Sequence, residues 1–202
     1  MEVVVHWITD FITRVSYQGI FILMLLESTG VPIPSEVTMP FGGFLASTNK
    51  LNFWWVVLAG TLGNLVGSWL AYFLGWWGEG TVVRVAIRRW GKYLLISEEE
   101  LNRAEKWFNR FGDPIVFFSR LAPVIRTFIS FPAGIAKMNF LKFTIYTFLG
   151  SFLWSYFLTW IGLTLGDNWG LLERYFRQFE MVIGGFAFVG AFWYVLRKIR
   201  RL

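Results

Sequence analysis

Four ionisable residues stand inside otherwise apolar stretches. Glu27 and Glu36 lie in residues 27–46, and Arg120 and Arg126 lie in residues 113–136. At the centre of a bilayer such a residue costs about 2.5–3.5 kcal/mol on insertion scales, so its default reading is functional, with a named partner. A guanidinium grips phosphate in bidentate fashion and stays protonated, so Arg120 and Arg126 suit the phosphate of an anionic lipid headgroup. A carboxyl that moves between a dry setting and one beside an arginine takes up and releases a proton, so Glu27 and Glu36 suit coupling or gating. The plainer alternative is that the four residues pair with one another and hold two segments together. A second is that they sit at the interface, where the cost is small.

Spacing sets what the backbone must do. Arg120 and Arg126 are six positions apart, which turns them about 120° from each other on a straight helix. Glu27 and Glu36 are nine positions apart, which points them in opposite directions. Convergence therefore needs broken helices. Pro32, Pro34 and Pro40 interrupt the first segment, and Pro123 and Pro132 the second. Prolines inside a membrane helix leave backbone groups unpaired, which is tolerated where the segment is buried in protein or lines a wet cavity. Residues 31–50 and 113–136 therefore read as re-entrant hairpins. Helix N-termini exposed at the breaks add anion donors.

Composition requires the bilayer. The chain has 202 residues, of which 55% are hydrophobic, 20% aromatic and only 16% charged. A soluble chain is about one-quarter charged, and a compact fold of this size cannot hide so much apolar surface. Disordered, collagen-like and coiled-coil classes are excluded by the same figures. With no cysteine and the single histidine His6, disulfides, iron–sulfur clusters and a structural zinc have no ligands, and no cofactor is expected. The net charge of +6 reads as cytoplasmic lysine and arginine rather than as a nucleic-acid surface. No cleavable signal peptide is evident, because Glu2 and Asp10 occupy the place of a basic leader.

Charge-free stretches give the spans. Residues 53–78 reach about 39 Å as a helix, enough to cross a core of about 30 Å with tilt. Residues 143–166 are similar, and residues 176–196 supply a last helix. A first helix over residues 11–30 spans if Arg14 snorkels. The segment 79–112 carries Arg84, Arg88, Arg89, Lys92, Arg103, Lys106 and Arg110. The C-terminus carries Arg197, Lys198, Arg200 and Arg201, whereas residues 167–173 hold no lysine or arginine. The positive-inside rule puts the first two clusters in the cytoplasm and the short loop outside. Crossing parity then makes both termini cytoplasmic and brings the hairpins in from opposite faces.

The expected fold is an all-α polytopic membrane protein in a single membrane domain over residues 1–202. It has about four transmembrane helices and two opposed re-entrant hairpins in an inverted repeat, with a site where the broken elements meet. Within residues 79–112, Ser97 and Glu100 form a capping box. Leu101, Ala104, Trp107, Phe108 and Phe111 form an apolar stripe, which predicts a cytoplasmic amphipathic helix at the interface. Gly60, Gly63, Gly67, Ala71 and Gly75 predict close helix packing, as do Gly184, Gly185 and Gly190. Trp76, Trp77 and Trp169 fit interfacial belts, and His6 a surface position.

The motifs resemble a known family. Glu27, then Pro32-Ile33-Pro34-Ser35-Glu36, Gly42-Gly43 and Ala46, looks like the first signature of the DedA family of bacterial inner-membrane proteins. The run from Phe117-Phe118-Ser119-Arg120 through Pro123 to Arg126-Thr127 resembles the second. Ala133-Gly134, Met138, Phe143, Gly150 and Trp154 continue it, so the likeness covers about residues 17–160. The resemblance implies a multi-pass protein of the bacterial cytoplasmic membrane that moves lipids between leaflets. Undecaprenyl phosphate or a related anionic lipid is the implied partner, with coupling to a proton or sodium gradient. It further implies links to envelope stress, cell division and resistance to cationic peptides, and scramblase-like eukaryotic relatives. The family's essential acids fall on Glu27 and Glu36, and its paired arginines on Arg120 and Arg126. Two positions depart from it: Ser35 stands where glycine is commonest, and Ser68 where many members carry aspartate, an acid that would serve ion coupling.

Three other readings compete with a lipid translocase. A proton- or ion-coupled transporter of small solutes would use the same four residues. An envelope scaffold would not transport at all. A membrane enzyme such as a lipid phosphatase is disfavoured, because it needs a catalytic histidine or clustered acids with a metal, and His6 lies outside the hairpins.

Overall fold

In a computed structural model the structure describes residues 2–31, 33–77, 114–122 and 125–166. The expected amphipathic helix within 79–112, the loop 167–173, the last helix over 176–196, and Pro32 and Pro123 lie outside the described residues. The described residues form helices and turns. They are α1 (Glu2–Val15), α2 (Tyr17–Ser28), α3 (Ser35–Ser47), α4 (Phe53–Trp77), α5 (Pro114–Ser119), α6 (Ile125–Phe128), α7 (Ser130–Ile135) and α8 (Phe140–Leu165). Two of them, α4 and α8, are long and apolar enough to cross a membrane.

The expected helix over 11–30 is not one helix. Ser16 takes a positive φ of 58° and separates α1 from α2. The reason is amphipathicity. Ile8 and Ile12 of α1 are buried in the core, while Asp10 and Arg14 form an exposed ion pair at 3.0 Å one turn apart. A straight continuation would carry that charged face along the apolar α2, whereas the turn at Ser16 lets α1 fold separately against α2 and α3. His6 is exposed on α1. The helix α8 begins three residues before the charge-free stretch 143–166. Asn139 caps it by accepting a bond from the backbone N–H of Lys142 at 3.1 Å, and Lys142 rides in the first turn.

The two proline-bearing segments differ. In the first, Pro34 in extended conformation leads directly into α3, and Pro40 sits inside that helix. The returning arm touches both α4 and α2: Val56 and Ile20 fill the space beside Gly42, and α2 and α3 meet again near Glu27 and Ser35. The second segment breaks into α5, α6 and α7, with Pro132 in the first turn of α7.

Glycines set how these pieces stack. A side chain on Gly43 of α3 would overlap the Thr159 carbonyl of α8, and one on Gly162 the Pro40 carbonyl. A side chain on Gly134 of α7 would overlap the Tyr72 carbonyl of α4, and one on Gly75 the Phe131 carbonyl. The two contacts have the same form, with the partners three positions apart on every helix. Each short helix thus crosses over to the long helix of the other half. The long helices run antiparallel: Phe53 meets Tyr156 edge-on at 5.5 Å, and Trp69 Nε1 donates to Thr144 Oγ1 at 3.1 Å. Gly162→Ala is expected to push α3 off α8 and cost about 1–3 kcal/mol. Thermal unfolding in detergent would read this as a lowered midpoint, and an unchanged midpoint would mean that the backbone contact is not needed.

Candidate functional site

Arg120 closes the end of α5 and is only 3% exposed. Its Nη1 donates to Ser68 Oγ on α4 and to the Arg126 carbonyl, each at 2.9 Å. Its Nη2 donates to Ser130 Oγ on α7 at 2.8 Å and to Thr147 Oγ1 on α8 at 3.2 Å. The guanidinium carbon lies 5.8 Å from the centre of the Phe143 ring. Four of five donors are thus spent on neutral acceptors from four elements. Gly150 makes room, because a side chain there would press on the Arg120 stem.

Arg126 in α6 does the reverse. Its Nη2 donates to Glu27 Oε1 of α2 and to Ser35 Oγ of α3. The guanidinium carbon sits 5.5 Å from the Trp154 ring centre, a cation–π distance. Its Nε is buried with no hydrogen-bond partner, as is Glu27 Oε2. The pair is 5% and 7% exposed for Arg126 and Glu27 respectively, and joins residues 99 apart in the chain.

Of the four predicted residues, the structure brings Glu27, Arg120 and Arg126 together. Glu36 stands in the first turn of α3, half-buried, where its charge complements the helix N-terminus. Among the described residues no ion pair joins it to an arginine. Of the described prolines, Pro34 sets the start of α3, while Pro40 and Pro132 sit inside their helices. Among the described residues no three His, Cys, Asp or Glu side chains gather as metal ligands.

Sequence reasoning missed the hydroxyls Ser130 and Thr147, and flagged Ser35 and Ser68 only as departures. It also missed Asn64, whose Oδ1 accepts from Ser28 Oγ at 2.6 Å beside Glu27. A usable signal existed in α8, where buried Thr147, Ser151, Ser155 and Thr159 recur every four residues along one face. The equal glycine spacing makes Ser155 the counterpart of Ser68. At that place Met39 fills the space beside Gly60 and Ser155, so the arginine cradle occurs in one half only.

Comparison with known proteins shows the family. The VTT domain model matches residues 33–164. Undecaprenyl phosphate transporter A of Bacillus subtilis (strain 168) is 34% identical over 192 residues, covering 95% of this chain and 93% of the relative. The transporter of the same name from Staphylococcus aureus (strain NCTC 8325 / PS 47) is 30% identical, covering 95% of each chain. A protein named "Alkaline phosphatase-like protein" from Lactococcus lactis subsp. cremoris (strain MG1363) is 34% identical over 202 residues, covering 98% of this chain and 92% of the relative. No solved structure matches. With a domain match over most of its length, two membrane-capable helices and full-length relatives, the chain belongs to the VTT-domain, or DedA, family of membrane proteins.

Proposed function

We propose that the protein is a membrane translocase for an anionic lipid, with a phosphate headgroup bound at Arg126 and the apolar tail left in the bilayer. Undecaprenyl phosphate is the favoured substrate, following the names of two relatives. The observation that carries the reading is the buried Arg126–Glu27 pair. It is made between broken elements of the two halves, and Arg126 keeps an unpartnered buried donor. An ion pair that only bolted two segments together would gain from spending every donor, because each buried one left unpaired costs energy. Here the carboxylate holds the place of a phosphate, and its exchange for the headgroup opens the contact between α2 and α6. Glu27 is the gate, Glu36 a second charge for proton or sodium coupling, and Arg120 the neighbouring positive charge that favours an anion.

The layout supports hairpins entering from opposite faces around the antiparallel pair α4 and α8. At 12 residues, α2 is about 18 Å long, short of a core of about 30 Å. With the basic segment 79–112 in the cytoplasm, α1 then lies on the opposite face, which revises the expected cytoplasmic N-terminus. The chain has no cysteine, so His6→Cys gives a single labelling site. A membrane-impermeant maleimide applied to intact cells should label it, and labelling only after lysis would restore the cytoplasmic assignment.

The deciding experiment is transbilayer movement of labelled undecaprenyl phosphate in proteoliposomes, with and without a pH gradient. Phosphatidylethanolamine and phosphatidylglycerol run beside it. Movement of the polyprenyl phosphate is expected, faster when the gradient is imposed. If well-inserted protein moves none of the three lipids, the translocase reading falls, and ion flux without lipid movement would favour a coupled solute transporter.

A further inference from the structure

Among the described residues five buried donors lack partners: Arg126 Nε, Arg120 Nε, Trp154 Nε1, Asn64 Nδ2 and Ser155 Oγ. Arg120 and Trp154 both touch Arg126. Its own Nε–H has no partner. The indole against which its guanidinium stacks has a buried Nε1–H with no partner. On α4, one turn before the Ser68 that holds Arg120, Asn64 is 3% exposed, and its Nδ2 is buried and unpartnered. Its Oδ1 accepts from Ser28 Oγ, beside Glu27 in the chain, which leaves the nitrogen as the free end. Buried polar groups are almost always satisfied, and each exception calls for an explanation. Three side chains with spare donors around one cation call for a ligand rich in acceptors.

We propose that Asn64 and Trp154 complete a headgroup cradle with Arg126, and that this cradle selects a phosphate monoester over a phosphodiester. The inference rests on the translocase reading and adds its specificity residues. A monoester presents three terminal oxygens and up to two negative charges. A diester presents two such oxygens and one charge. Three donor-bearing side chains match three oxygens, and the guanidinia of Arg126 and Arg120 match the double charge once Glu27 has swung away. A diester leaves one donor buried and unsatisfied, which is the usual basis of strong rejection. Carboxylate and sulfate lipids meet the same limit in charge or shape.

The test uses the full chain in detergent, with farnesyl phosphate as the monoester, dihexanoyl phosphatidylglycerol as the diester and farnesol as the uncharged control. Titration calorimetry should give monoester binding at least about tenfold tighter than diester binding, since a hydrogen bond to a charged group is worth roughly a tenfold change or more. Trp154→Phe keeps an aromatic face under Arg126 and removes only the N–H, and should weaken monoester binding about tenfold. Asn64→Asp keeps the acceptor for Ser28, turns the donor end negative and should abolish binding. A direct readout comes from the indole N–H resonance of Trp154, assigned by its loss in Trp154→Phe. It should move downfield with farnesyl phosphate and stay put with farnesol.

If wild type binds farnesyl phosphate and Arg126→Ala does not, while Trp154→Phe binds like wild type and the indole resonance is unmoved, the cradle is wrong and the translocase reading stands. Equal affinity for monoester and diester overturns the selectivity. If wild type binds neither probe, both readings fall. Should Asn64→Asp not fold, the Trp154→Phe titration and the indole resonance decide alone.

Discussion

Arg126→Ala is expected to stop lipid movement and, in the same step, to cost about 3–5 kcal/mol of stability. That is the usual penalty for removing one partner of a buried ion pair. The cost falls on Glu27, which keeps its burial and loses its cation, and on Ser35, which loses its donor. Glu27→Gln should be milder, because an amide oxygen still accepts from the guanidinium. The informative variant is the double replacement Glu27→Gln/Arg126→Gln. Two amides can bond to each other without a buried charge, so the double variant should recover most of the stability lost in Arg126→Ala. It should still move no polyprenyl phosphate, because nothing cationic remains to grip the headgroup. Thermal unfolding and the proteoliposome assay, run on the same preparations, separate the two effects. If the double variant recovered transport along with stability, Arg126 would be a bolt and not a ligand.

The sequence makes Glu27 and Arg126 legible because charge in an apolar stretch is expensive, and the expense alone demands a partner. Glu36 passed the same test but stands at a helix start, where the N-terminal dipole accounts for an acid without any arginine. The hydroxyls that hold the arginines were invisible for the opposite reason. A serine or threonine in a membrane helix satisfies itself on its own backbone, as Thr61 and Thr159 do here, so its presence predicts nothing. The broken second segment followed from its prolines. The turn at Ser16 did not, because no proline or glycine marks it and only the amphipathic pattern of α1 calls for it. An inverted layout could be guessed from the order of apolar and proline-rich stretches. The crossing of α3 onto α8 and of α7 onto α4 could not, since it depends on where Gly43, Gly162, Gly75 and Gly134 meet backbone, and spacing within one helix does not name the helix opposite.

Arg120 tests whether geometry or charge holds the centre of the protein. Its two Nη groups join Ser68, Ser130, Thr147 and the Arg126 carbonyl, so one side chain ties α4, α7 and α8 to the turn carrying Arg126. Among the described residues none of those partners is an acid, so burying the guanidinium is offset only by dipoles. Arg120→Lys keeps the charge, but an ammonium has three donors on one atom and cannot span acceptors on four elements. Losing two such bonds, at about 1.5–3 kcal/mol each for a charged donor, amounts to about 3–6 kcal/mol. Arg120→Met loses all four bonds, yet it removes the buried charge, keeps much of the volume beside Phe143, and leaves hydroxyls that can turn back to their own helices. The lysine variant should therefore be the less stable of the two by thermal unfolding, although it is the conventional replacement. Both should transport poorly, because the Arg126 carbonyl is no longer held. If lysine instead matched wild type in stability, positive charge alone would suffice at this position, and the four-way brace would lose its meaning.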